Sequence, residues 1–172
     1  IEAYGIDASS YAIGQVRDDV KPFCTVRSAT EPLGEHFDLI TCIEIAEHMP
    51  EDEAEKLVAN LCAHTDEVVF SSTPTDFEEP THLNVRPRAY WEGLFAANGF
   101  FANRDFAGQF LTPNAIHFRR VDRPIRAVIF SKEKPEWAVV RLRVLDPLRE
   151  LEKQGKAHVT YVSSYDTSLD IE

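Results

Sequence analysis

The side chains best placed to do chemistry are Glu44, Glu47 and His48, which follow the run Phe37-Asp38-Leu39-Ile40-Thr41-Cys42-Ile43. That run is mostly apolar with one acid at its entrance, the pattern of a strand covered on both faces. Spacings of three and four then predict that Glu44, Glu47 and His48 share one face of a helix. A helix opening at the carboxyl end of a central parallel strand is where open α/β sheets hold their ligands. Two carboxylates and an imidazole there suit proton transfer or metal binding. A structural origin competes with this reading. Glutamates favour the positive end of a helix dipole, and Met49-Pro50 followed by Glu51-Asp52-Glu53 also fits the start of a solvated helix.

The elements around this stretch alternate. Ala3 to Asp7 reads as a short strand ending in an acid, with Ser9 or Ser10 capping a helix to about Asp18. Pro22 to Val26 is a second strand and Phe37 to Ile43 a third. Glu51 to His64 is an amphipathic helix, with Ala54, Leu57, Val58, Leu61 and Cys62 at helical spacing. Glu67 to Ser71 is a further strand, and Ser72 to Pro87 a long loop containing His82. Arg88 to Asn98 is a helix with Gly99 in the C-terminal cap position. Phe100 to Phe106 and Ala115 to Arg120 read as antiparallel closing strands. Alternation of this kind predicts a parallel sheet with right-handed crossovers.

Composition bounds the partners. The 172 residues suit one domain with an appendage, and the net charge of −11 argues against a nucleic-acid backbone as the main partner. Charge is unevenly spread: residues 1–121 carry 9 basic and 20 acidic side chains, whereas residues 122–156 carry 9 and 6. This shift predicts a boundary near Asp122, with domains over 1–121 and 122–172. Cys24, Cys42 and Cys62 are widely spaced among apolar neighbours, as expected of reduced, cytoplasmic thiols. No apolar run approaches the ~20 residues needed to span a bilayer, so no membrane partner is expected. Both ends read as cut, with Ile1 to Asp7 as a strand already under way.

The order of elements resembles the Rossmann-like class I S-adenosylmethionine-dependent methyltransferase fold, entered at its second strand and covering residues 1–121. Tyr4-Gly5-Ile6-Asp7-Ala8-Ser9 is similar to the family's second-strand motif, which implies that Asp7 binds the cofactor ribose; one carboxylate can accept two hydrogen bonds from a diol. A helix-capping Asp7 is the competing reading. Ser28-Ala29 falls where the family contacts adenine, with serine a departure from the usual acid. Phe37 to His48 resembles the fourth motif, implying cofactor contacts at Cys42 and Glu44. Ser71-Ser72-Thr73-Pro74 resembles the substrate-facing end of the fifth strand. The family's glycine-rich first motif has no counterpart from Ile1 onward, so the expectation is a fragment with a hole in its sheet and little cofactor affinity by itself.

Glu44, Glu47 and His48 with Thr81-His82 further resemble the Glu-x-x-Glu-His and Thr-His pattern of ubiquinone-biosynthesis and small-RNA O-methyltransferases. That resemblance implies a divalent metal (Mg, Mn, Fe or Zn) on Glu44, Glu47, His48 and His82, beside the acceptor hydroxyl. Without a metal, His48 or His82 is the expected catalytic base. Beyond Asp122, a strand over Ile125 to Ser131, a helix over Ala138 to Gln154 and a strand over His158 to Ser163 resemble the opening of a two-Rossmann-domain glycosyltransferase. An edge-covering extension is the equal alternative. The resulting expectation is O-methylation of a sugar or other small hydroxylated acceptor; the alternative is a glycosyltransferase-associated binding or scaffold module without methyl transfer.

Overall fold

The computed structural model describes residues 2–163, so Ile1 and the last nine residues of the expected C-terminal domain lie outside the described residues. The chain forms two compact units, Ile1–Arg120 and Val121–Glu172. The first is mixed α/β. Its strands are β1 (Gly5–Asp7), β2 (Cys24–Val26), β3 (Ile40–Ile43), β4 (Glu67–Ser71), β5 (Phe100–Ala102) and β6 (Ile116–Arg120). Three helices join them: α1 (Ser10–Gln15), α2 (Glu51–Ala63) and α3 (Arg88–Ala97).

The strands form two separate sheets. β1 and β2 pair in parallel, while the second sheet runs β3-β4-β6-β5, with β3 and β4 parallel and β6 antiparallel to both its neighbours. Among the described residues β3 is therefore bonded on one edge only. Tyr4, leading into β1, packs edge-on against Phe37, ahead of β3, with ring centroids 6.5 Å apart. The core lies on the larger sheet. Phe70 of β4, Trp91 and Phe95 of α3, Phe100 and Phe118 are all buried, with Phe95 stacked on Phe118 at 3.9 Å. On α2 the residues facing inward are Ala54, Leu57, Val58, Leu61 and Cys62, the apolar positions of its helical repeat.

Local chemistry sets the ends of these elements. Ser9 caps α1, its Oγ accepting from the Ala12 N–H at 3.2 Å. Gly99 ends α3 at a φ of 82°, a conformation that glycine adopts without a Cβ clash. Two expectations need correction. The strand expected from Phe37 is regular only from Ile40, because Phe37 makes a single isolated bridge to Thr65. No helix carries Glu44, Glu47 and His48 on one face. Glu44 has a φ of 51°, the left-handed region that breaks a right-handed helix, and only a 3-10 turn, Ala46–His48, follows. Ser71 holds that turn of chain, its carbonyl and hydroxyl oxygens both accepting from the Glu44 N–H at 3.1 Å.

The second unit is a βαβ element. β7 (Ile125–Ser131) and β8 (Ala157–Ser163) pair in parallel, joined by α4 (Ala138–Val140), a π-helical turn (Arg141–Leu145) and α5 (Asp146–Lys153). Val140, Leu145 and Ala157 are buried within it, whereas Val128 and Phe130 on one face of β7 are exposed.

Candidate active site

The 3-10 turn after β3 and the loop after β4 build one site. Glu47 is fully buried; its Oε1 accepts from the Thr73 N–H at 3.2 Å. Its carbonyl accepts from the N–H groups of Leu83 and Asn84 at 2.7 and 2.9 Å, which pins the loop over residues 72–87 onto the turn. The loop thereby brings His82 against His48, with ring centroids 4.7 Å apart. Ligand-type atoms of Glu47, His48 and His82 all lie within 4.8 Å of one another. Glu44 stands outside that trio, although its carboxyl meets that of Glu47.

The protonation states follow from the partners. The Nδ1 of His48 lies 3.2 Å from the Thr81 carbonyl oxygen, and the Nδ1 of His82 lies 2.8 Å from that of Asp76. A carbonyl only accepts, so each Nδ1 carries the hydrogen and each Nε2 keeps its lone pair. Both imidazoles are thus preset to take a proton or to ligate a metal through Nε2. Burial, and next the hydrogen bond to Glu44, push the Glu47 carboxyl above the usual glutamate range. Glu44 Oε1 and Glu47 Oε2 are buried without a hydrogen-bond partner, a state that normally calls for a proton, a water or a cation.

The residues expected at the cofactor occupy varied settings. Asp7 ends β1, and its Oδ1 accepts from the Ser9 N–H at 2.7 Å. The backbone after β2 is tied to it, the Arg27 N–H donating to the Asp7 carbonyl at 2.9 Å. Ser28 shares a 2.8 Å hydrogen bond with Thr30, and the Ala29 carbonyl accepts from Asn60 Nδ2 at 2.7 Å. Cys42 is buried in the core, its thiol pushed up to about 12 by desolvation, so the side chain packs as a small hydrophobe. Sequence reasoning missed Thr73 and Asp76, which hold Glu47 and His82 through backbone atoms. Backbone partners leave no signature in side-chain type.

With this geometry in view, solved structures with a similar fold are informative. Magnesium protoporphyrin IX methyltransferase (ChlM) from Synechocystis PCC 6803 matches in its SAM-bound form at a TM-score of 0.55 and 19% identity, over 69% of this chain and 59% of that one. Its SAH-bound form matches at 0.56 and 18%, over 69% and 64%. The chain shares the methyltransferase fold. TnmH is also similar, at a TM-score of 0.50 and 10% identity, over 68% of this chain and 42% of that one. The chain spans less than two thirds of the length of either protein. No protein-family model matches it, and no curated protein does. Within the methyltransferase fold, Glu47, His48 and His82 sit just beyond the carboxyl ends of the parallel strands β3 and β4.

Proposed function

We propose that the first unit moves a methyl group from S-adenosylmethionine to an oxygen of a sugar or other small hydroxylated acceptor. The observation that carries this reading is the convergence of Glu47, His48 and His82 at the strand ends of a methyltransferase fold, with both histidine Nε2 atoms left as bases. The sulfonium supplies an electrophilic methyl. Displacement then needs an aligned acceptor whose O–H proton leaves as the new C–O bond forms and the C–S bond breaks. Nε2 of His48 or His82 takes that proton. Asp7 is assigned to the ribose hydroxyls, with Ser28, Ala29 and Glu44 along the same edge.

The donor set also fits a divalent cation. One carboxylate and two imidazoles suit Mn²⁺, Fe²⁺ or Zn²⁺, and the orphaned oxygens of Glu44 and Glu47 lack a positive partner. Glu47, His48 and His82 would hold it, and it would act as a Lewis acid that makes the acceptor hydroxyl more acidic. The second reading, a glycosyltransferase-associated scaffold module, draws on the parallel βαβ of the second unit. That support is an analogy of architecture.

Calorimetric titration separates the two. S-adenosylmethionine should bind the protein, and Asp7→Ala should weaken it by roughly 1.5–3 kcal/mol or more, the worth of a charge-assisted hydrogen bond. Equal affinity in both would remove Asp7 from the site, and no binding to either would leave the scaffold reading. Mn²⁺ titrated into His82→Ala should bind at least about ten-fold more weakly than into the unchanged protein. If Mn²⁺ binds neither, a plain histidine base remains.

A further inference from the structure

A cavity of about 180 Å³ lies beside this site, between the loop after β4, the first turn of α3 and the segment ahead of β6. Its wall includes Phe70, Trp91 and Ile116, flat or apolar surfaces that suit a ring. For scale, a dry cavity of about 150 Å³ accommodates benzene. The same wall contains Ser72, Arg88 and Asn114. Ser72 is 6% exposed and Trp91 1% exposed, yet Ser72 Oγ and Trp91 Nε1 have no hydrogen-bond partner. Buried polar groups left in that state call for one.

The chemistry of that missing partner is constrained. The indole N–H only donates, a guanidinium only donates, and a hydroxyl does either. No acid lines the cavity. The N-terminus of α3 opens there without a side-chain cap, its N-cap being Pro87, so its first N–H groups add positive potential. Donors on several sides of an apolar slot match an acceptor with two oxygens on a flat ring. We infer that this cavity binds a single-ring carboxylate, with the carboxylate toward Ser72, Trp91 and Arg88. Ser72 and Pro74 flank Thr73, whose N–H holds Glu47, so the opposite edge of the ring meets the carboxyl and histidine cluster. On the methyl-transfer reading above, on which this last step rests, a hydroxyl at that edge is the methyl acceptor.

Benzoate and the neutral benzyl alcohol are the probes. Trp137→Phe leaves Trp91 as the one tryptophan and makes its emission a local reporter. Benzoate should change that emission with a dissociation constant of about 1 mM, and benzyl alcohol should bind roughly ten-fold more weakly. In the same background, Ser72→Ala and Arg88→Gln should each weaken benzoate by roughly five- to ten-fold and leave benzyl alcohol nearly unchanged. Unaltered Trp91 emission up to about 10 mM benzoate, or equal affinity for the two probes, would overturn the assignment. Titrating S-adenosylmethionine into the same samples separates the two readings. Benzoate bound without S-adenosylmethionine defeats methyl transfer and keeps the carboxylate pocket, whereas the reverse defeats the pocket alone.

Discussion

Removing the charge from Glu47 should make the protein more stable. The side chain is fully buried and faces the Glu44 carboxyl, so its ionised form is disfavoured. Its folded pKa lies above the ordinary 4.5 of a free glutamate, and between those values the folded state binds more protons than the unfolded one. Stability therefore falls as pH rises through that window, and the full penalty stands above it. Glu47→Gln keeps an oxygen for the Thr73 N–H and offers an N–H₂ to Glu44. At pH 7.5 it should melt about 2–4 °C higher than the unchanged protein, the shift expected of roughly 1 kcal/mol at this chain length. The gap should close as pH is lowered toward the free-glutamate value. Thermal melts showing the variant less stable at every pH would mean that Glu47 is held ionised by something positive.

The turn after β3 is the element at which sequence and structure part company. Regular spacing predicts a helix, and the apolar face of α2 or the β-branched run of β4 is legible in the same way because packing repeats along the element. Glu44 breaks the repeat through its left-handed φ of 51°, which nothing in a glutamate announces. The meeting of His48 and His82 is likewise unreadable from local pattern, since it depends on two backbone bonds from the loop to the Glu47 carbonyl. A non-glycine residue in this conformation costs about 1–2 kcal/mol. Glu44→Gly should therefore hold or raise the melting temperature even though glycine gains entropy when unfolded. If Glu44 serves the cofactor, the same variant should bind S-adenosylmethionine less well, a trade of function for stability. A melting temperature several degrees lower would show that the Glu44 side chain stabilises the turn.

At the scale of the whole molecule, the β1-β2 pair and the four-stranded sheet share no strand-to-strand hydrogen bonds. Ile6, Val26, Leu39 and Ile45 stay substantially exposed on or next to their strands. The charge shift along the sequence is a whole-chain property and is legible at once; which strands lack a neighbour is not, because pairing is decided by residues far apart. Row upon row of unbonded N–H and C=O groups along the free side of β3 is a template for another extended chain. A second copy of this protein carries an identical edge. The stability measured in a tube should then depend on how much protein the tube contains: over a roughly hundred-fold range of concentration the melting temperature should climb, and sedimentation should show larger species at the upper end. A monomer throughout, melting at one temperature, would mean the edge is protected. Otherwise, dilution itself becomes a reagent, and mutant melts compared at unequal concentrations would report self-association in place of folding.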